Sequence, residues 1–159
     1  MPSILFECKS TPSYGYKGMR GGSAVTIYSN GAVVHQQFTV GCPELTETNT
    51  LFQCHKLASD IEALIDRYSD ALEIIPPKLN NGTLDGSHDS FRFGAKRISA
   101  WSITKVNPKE IADESTGWPF KLCENAKHEN FILEAYTEIL DILRGYGITE
   151  SLPLEAQSE

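Results

Sequence analysis

Short alternations of hydrophobic and polar residues in the N-terminal part of the chain predict antiparallel strands. Residues 3–8 contain the apolar run Ile4-Leu5-Phe6, which predicts a first strand. Residues 23–40 (SAVTIYSNGAVVHQQFTV) contain two β-rich runs on either side of Asn30-Gly31. This dipeptide favours a type I′ hairpin turn, because both residues tolerate positive φ. The pattern therefore predicts a three-stranded antiparallel unit.

The second strand of this predicted hairpin has two faces, because successive side chains of a strand point to opposite sides of a sheet. We expect the more apolar face to be turned toward the core. That face consists of Ala32, Val34, Gln36, Phe38 and Val40. The opposite face consists of Val33, His35, Gln37 and Thr39.

Two longer segments repeat apolar residues every three or four positions, which predicts amphipathic helices. The first spans residues 50–72 and is expected to end before Pro76-Pro77, since proline cannot continue a helix. The second spans residues 125–144 and is expected to end at Gly145 or Gly147. Their apolar stripes contain Leu51, Cys54, Leu57, Ala58, Ile61, Leu64, Ile65, Tyr68 and Leu72, and Phe131, Ile132, Ala135, Tyr136, Ile139, Leu140 and Leu143.

A second hairpin is predicted between the two helices. Residues 91–93 and 97–106 form its strands, and Gly94-Ala95-Lys96 forms its turn. A short helix is predicted to start at residues 107–110, where an asparagine cap precedes a proline. Strands grouped ahead of helices indicate an α+β fold: an antiparallel sheet of about five strands with two long helices packed on one face.

The composition is that of one globular domain. The chain has 159 residues, of which 40% are hydrophobic and 22% charged, so it can bury a core of its own. We expect residues 1–149 to form this single domain. Residues 150–159 are short, polar and acidic, and are expected to form a frayed tail.

The formal net charge of −7 limits the kinds of molecule that the protein is expected to bind. An acidic chain repels phosphate backbones and anionic lipid, so direct nucleic-acid or membrane binding is disfavoured. The N-terminus has no basic region followed by an apolar run, which argues against a signal peptide and for a cytoplasmic protein. The four cysteines are then expected to be free thiols. They form no CxxC pair, so a zinc knuckle has no support.

Residues 80–92 (NNGTLDGSHDSFR) resemble a site for metal or acid–base chemistry. Counted from Asn81, oxygen ligands fall at calcium-loop positions, but Arg92 occupies the twelfth position, where a glutamate is required. Asp85, His88 and Asp89 offer a second possibility, a metal or acid–base cluster. The favoured interpretation is structural, since Asn, Asp and Gly are the residues that satisfy the backbone of sharp turns.

The cysteines give only weak support for a catalytic thiol nucleophile. Cys54 and His55 are neighbours on the predicted helix and point about 100° apart, so they do not face each other. Cys42 is expected to be the better exposed cysteine. His35 could approach Cys42 or Cys8 if the fold brought them together.

A glycine-rich stretch, YGYKGMRGGS, is a candidate contact surface. It lacks the Lys-Ser/Thr of a phosphate-binding loop, and a strand rather than a helix follows it. Tyr, Met and Arg are favoured at protein interfaces. A plain hairpin connection is the alternative interpretation.

These features favour a small, acidic, non-enzymatic protein-binding module of inhibitor, immunity or adaptor type, without a cofactor. Its partner would offer a basic surface to the acidic helix faces, or a pocket to the glycine-rich stretch. The expected binding residues are Tyr14, Tyr16, Lys17, Met19, Arg20, Asp85, His88, Arg92 and Trp101.

Two other functions stay open on the sequence, as does the oligomeric state. One is a small hydrolase or metal-dependent enzyme with Asp85, His88 and Asp89 as catalytic residues, assisted by Arg92 or His35. The other is a ligand-sensing module with a pocket between sheet and helices, near Trp101 and Trp118.

Overall fold

A computed structural model describes residues 2–11, 20–39, 41–79, 88–101 and 122–154 of the chain. These residues form an α+β fold, as predicted, and the predicted short helix after residue 107 lies outside them. The elements are β1 (Ile4–Thr11), β2 (Arg20–Tyr28), β3 (Ala32–Thr39), β4 (Cys42–Gln53), α1 (His55–Glu73), β5 (Lys78–Leu79), β6 (His88–Phe93), β7 (Lys96–Trp101) and α2 (Leu122–Gly145).

The strands form one seven-stranded sheet with the order β4-β3-β2-β1-β6-β7-β5. Neighbouring strands are antiparallel, except that β5 runs parallel to β7. The prediction of about five antiparallel strands is therefore correct in class and incomplete in detail. It omits the two-residue strand β5 and the twelve-residue strand β4.

Strand β4 also corrects the start of the first helix, which begins at His55 and not at residue 50. Residues 50–53 belong to β4 and pair with β3. The strand escaped prediction because residues 44–50 are polar or exposed along an edge of the sheet, where no apolar alternation is required. The end of α1 at Glu73, ahead of Pro76-Pro77, is as predicted.

The hairpin at Asn30-Gly31 forms, but its turn is not of type I′. Only Gly31 has positive φ, at +83°, and its N–H donates to the Tyr28 carbonyl at 2.8 Å. The loop therefore has three residues, Ser29 to Gly31, in the arrangement of a tight turn followed by one left-handed residue. The Asn30 side chain accepts a hydrogen bond from the Ala32 N–H at 3.1 Å, which holds the turn in place.

The predicted core face of β3 is wrong. Val33 is fully buried, and His35 and Thr39 are 7% and 4% exposed, whereas Gln36 is exposed and Phe38 is half-buried. Counting apolar residues fails here because an aromatic side chain, that of Phe38, lies on the side of the sheet turned away from the core. The Lys9 ammonium lies over the Phe38 ring, 5.2 Å from its centroid, and this contact holds the ring on that side.

Both helices contribute to a core on one side of the sheet. Tyr136 of α2 stacks on Phe6 of β1 and meets Phe91 of β6 edge-on, with ring centroids 5.6 Å apart in both pairs. The buried residues of α1 are Leu57, Ala58, Ile61, Leu64 and Leu72. All of them except Ala58 belong to the same core cluster of buried residues as Phe6, Phe91 and Tyr136. The residue after α2 is joined to α1: the Tyr146 hydroxyl donates to Asp60 at 2.6 Å, a bond that raises the pKa of Tyr146 to about 12.

Helix α2 ends in a Schellman motif. The Ile148 N–H donates to the Leu143 carbonyl at 3.1 Å and the Gly147 N–H to the Arg144 carbonyl at 3.0 Å, with Gly147 at φ +93°. The core continues into the segment predicted as a tail. Leu152 is 5% exposed and belongs to the core cluster, while residues 155–159 lie outside the described part of the chain.

Candidate functional site

The face of the sheet turned away from α1 and α2, hereafter the outer face, borders a cleft of about 620 Å³. Strands β1, β6 and β7 supply most of its lining, and β5 with the residue before it supplies the rest. The lining residues are Glu7, Pro77, Lys78, Ser90, Phe91, Arg92, Arg97, Ile98 and Ser99.

Strand alternation explains why the polar side chains among these residues meet. Phe6, Cys8, Phe91 and Phe93 are buried toward the helices, so the residues between them point to the outer face. In the registers of the sheet, Glu7 lies opposite Arg92, and Arg92 lies opposite Arg97. One row of the outer face therefore runs carboxylate, guanidinium, guanidinium across three neighbouring strands, about 5 Å apart at each step.

A second row beside the first is polar and ends in a lysine. Ser90 lies opposite Ser99, and Ser99 is paired in turn with Lys78 of β5. The Ser99 N–H donates to the Pro77 carbonyl at 2.8 Å, which fixes this end of the cleft to the sheet. The two rows together give the cleft two serine hydroxyls, two guanidinium groups and one ammonium group.

Hydrogen bonds hold two of the charged side chains of the cleft in place, whereas the other two are exposed. The Arg92 Nε–H donates to the Gly94 carbonyl at 3.0 Å, so its side chain is tied to the hairpin turn. The Glu7 carboxylate accepts a hydrogen bond from the Thr26 hydroxyl at 3.2 Å. Arg97 and Lys78 are exposed, and neither forms a salt bridge within the described ranges. Among the described residues that line the cleft, three cations and one carboxylate leave an excess of two positive charges, in a chain whose net charge is −7.

The structure separates the members of the predicted catalytic cluster. His88 and Asp89 are consecutive residues of β6, so their side chains point to opposite faces of the sheet. Asp89 is fully buried on the helix side, where it accepts a hydrogen bond from the Ser10 hydroxyl at 2.7 Å. Asp85 lies outside the described residues. Across the parts of the chain that are described, no group of three or more His, Cys, Asp or Glu residues could hold a metal ion.

Of the predicted binding residues, Arg92 lines the cleft, and His88 lies four residues before it on the same strand and the same face. The backbone of Trp101 pairs with that of His88, and the backbone of Arg20 with that of Thr39. The side chains of Arg20 and Trp101 are not among those described. The predicted contact residues Tyr14, Tyr16, Lys17 and Met19, as well as Trp118, lie outside the described residues.

The proposed thiol–histidine pairs do not form. Cys42 is buried at 9% exposure, which corrects its prediction as the better exposed cysteine, and it pairs with Thr39, four residues beyond His35 on β3. Cys8 and His35 lie in one row with Val25 between them, so their backbones are about 10 Å apart. Burial also raises the pKa of the Cys8 thiol well above its usual value, which leaves it unreactive.

His35 gives the fold a pH dependence. Burial lowers the pKa of His35 from 6.5, with the Glu150 carboxylate acting in the opposite direction, and its Nε2 atom has no partner among the described residues. The unfolded chain then binds the proton more readily, so stability is lost as pH falls below 6.5 toward the folded pKa. We expect urea unfolding between pH 8 and 5 to show this loss, and His35→Gln to flatten it. An unchanged pH slope in the variant would exclude His35 as its source.

The sequence did not reveal Glu7, Lys78 and Arg97 as site residues. One signal for Arg97 was available: a two-residue turn at Gly94-Ala95 places Arg92 opposite Arg97, whereas the predicted three-residue turn does not. Glu7 and Lys78 join the site only through the pairing of β1 with β6 and of β5 with β7. These are contacts between segments far apart in the chain, so no local pattern encodes them.

Comparisons with protein-family models, with curated proteins and with solved structures give no match for this chain. Neither helix within the described ranges has the length and hydrophobicity needed to cross a bilayer. The case for a function therefore depends on the geometry and charge of the cleft.

Proposed function

We propose that this chain is a non-enzymatic protein-binding module of inhibitor, immunity or adaptor type, and that it meets its partner through the outer face of the sheet. One observation supports this proposal: Lys78, Arg92 and Arg97 gather at one cleft of an acidic chain. Such a local reversal of charge favours one orientation of an approaching partner and disfavours others. Arginine is also enriched at interfaces, because it combines a rigid fork of donors with an apolar stem.

The cleft favours an acidic group on the partner. Arg97 and Lys78 are exposed and can reach an incoming carboxylate or other anion, while Arg92 is already fixed by its bond to the Gly94 carbonyl. A fixed donor loses less conformational freedom on binding than a mobile one, which strengthens the contact. This assignment differs from the sequence-based hypothesis, in which acidic helix faces contact a basic partner.

A ligand-sensing module is the second candidate, and the size of the cleft favours it. About 620 Å³ falls within the range of ~300–1,000 Å³ that is typical of small-molecule sites. The cleft lies on the outer face, not between sheet and helices as the sequence suggested. The hydrolase hypothesis has weaker support, since His88 and Asp89 face opposite sides of the sheet.

Charge reversal at the cleft tests the proposal. Purified chain is immobilised and used to capture proteins from a lysate of its native cell, as wild type and as Arg97→Glu. We expect at least one stoichiometric partner that Arg97→Glu loses, and a capture that weakens as salt is raised, because the contact joins opposite charges.

The matched control is Arg67→Glu, which makes the same charge change on α1. Arg67 is 66% exposed and lies 3.6 Å from Glu138, so its substitution changes an exposed ion pair of small energy. The control should retain the partner. Loss of the partner in both variants, or retention in both, contradicts a role for the cleft.

A further inference from the structure

Arg92 and Arg97 form a pair of like charges that repel each other when no ligand is bound. They lie directly opposite each other on β6 and β7, and both belong to the outer face. Like charges in directly opposed positions destabilise a sheet, because their side chains leave the backbone only about 5 Å apart. Residues that break such a local rule are expected where a fold serves a ligand. The ligand implied is an anion that lies between the two guanidinium groups.

The charges and hydrogen-bond donors of the residues that line the cleft indicate which kind of anion it binds. A single carboxylate needs one arginine, whereas the described lining of this cleft has two arginines, one lysine and two serine hydroxyls against one carboxylate. The excess of two positive charges is opposite in sign and close in magnitude to the charge of a phosphate monoester near neutral pH, which is about −1.5 to −2. Its three terminal oxygens also suit two guanidinium forks and an ammonium better than the two oxygens of a carboxylate do.

We propose that the cleft binds a phosphate monoester, held between Arg92 and Arg97 with Lys78 as the third cation. Building on the proposed function, we assign this group to a phosphorylated side chain of the protein partner. Arg92 is the positioned donor, since its Nε–H is already bonded to the Gly94 carbonyl. Ser90 and Ser99 supply hydroxyl donors beside the pair.

Glu7 limits the affinity of this site. It lies opposite Arg92, and the Thr26 hydroxyl holds its carboxylate on the outer face. A fixed carboxylate beside the anion site repels the incoming phosphate and offsets one of the cations. Removing this charge is therefore expected to tighten phosphate binding, while removing Arg97 is expected to weaken it.

Titration calorimetry on the purified chain tests both expectations. The probes are inorganic phosphate, O-phospho-L-serine, and a short phosphoserine peptide with its unphosphorylated counterpart. We expect the phosphopeptide to bind most tightly and the unphosphorylated peptide not to bind. Arg97→Gln should weaken phosphopeptide binding about tenfold or more, and Glu7→Gln should strengthen it several-fold.

Controls separate binding from folding. Arg67→Gln removes the same charge from α1 and should bind like the wild type. Arg97→Gln should keep or raise the thermal midpoint, because it removes a like-charge pair, so its weaker binding is not a folding defect. Equal weakening by Arg67→Gln, or no binding of any phosphorylated probe by the wild type, overturns the anion site.

Two further outcomes locate the source of the phosphate. If O-phospho-L-serine binds as tightly as the peptide, the partner-borne source is overturned in favour of a small phosphorylated compound. If phosphatase treatment of the lysate leaves cleft-dependent capture intact, the phosphate assignment is overturned while the protein-binding function stands. Loss of capture after phosphatase treatment supports the proposal as a whole.

Discussion

Replacing Gly31 by alanine is expected to reduce the free energy of unfolding by about 3 kcal/mol or more, although the change adds only one methyl group. Gly31 has φ +83°, a conformation that L side chains rarely adopt. A Cβ at this position would lie 1.9 Å from the carbonyl oxygen of Cys54. The Cys54 backbone cannot easily move away from the added methyl group, because two hydrogen bonds hold it. Its N–H donates to the Gly31 carbonyl at 3.2 Å, and its carbonyl accepts from the Leu57 N–H at 3.1 Å.

Gly94→Ala is the matched control for this prediction. Gly94 also has positive φ, at +61°, but a Cβ there would meet no atom within 4 Å. Its substitution should therefore cost only the strain of the left-handed conformation, about 1–2 kcal/mol. Urea unfolding of both variants measures the difference. Equal losses would show that the contact between the hairpin turn and the start of α1 does not restrict Gly31.

Removing the Tyr136 side chain is expected to have a comparable or larger effect. Tyr136 is 1% exposed, and its ring contacts Phe6 and Phe91 on the central strands of the sheet. Its hydroxyl donates a hydrogen bond to the buried Pro153 carbonyl. Tyr136→Ala leaves a large cavity between α2 and the sheet, so we expect a loss of about 3–5 kcal/mol.

Tyr136→Phe separates the hydroxyl from the ring. The ring contacts remain, and the Pro153 carbonyl loses its donor in a buried position, for a loss of about 1–2 kcal/mol. Tyr146→Phe removes the hydroxyl bond to Asp60 at a half-buried position, where water can replace it, and should cost less. Unfolding midpoints that rank Tyr146→Phe as the more damaging change would contradict this account of the core.

The parts of the fold that follow from local chemistry were predictable from the sequence. Asn30-Gly31 and Gly94 mark turns, and both hairpins form around them. The two helical stripes are long enough to be recognised from their spacing alone, and α2 ends at Gly145, two residues before the positive-φ Gly147, within the range expected. In each case a few neighbouring residues determine the geometry.

The errors lie where burial depends on distant segments. Strand β4 is polar because one edge of it faces solvent, so its sequence lacks the alternation that identifies a half-buried strand. The core side of β3 was assigned wrongly because His35 and Thr39 are buried polar residues, whereas Phe38 packs on the other side. Polarity alone does not identify the core side when helices cover polar groups as well as apolar ones.

The cleft was beyond prediction for the same reason. The sequence directed attention to Asp85, His88 and Asp89, which are close in the chain, but strand alternation places the last two on opposite faces. Glu7 and Arg92 become neighbours only when β1 pairs with β6. Their proximity is a property of the topology, and a motif of adjacent residues cannot report it.

The central position of β1 has a consequence for how the chain is made. Its pairing partners on β6 are translated much later, since Asp89, which Ser10 contacts, follows Ser10 by 79 residues. While the ribosome is still adding the intervening residues, β1 can pair with β2 but presents a bare edge on its other side. Unpaired strand edges recruit other chains, and closing so long a loop is slow. We therefore expect a chaperone to protect this edge of the nascent chain until β6 has been made and pairs with it.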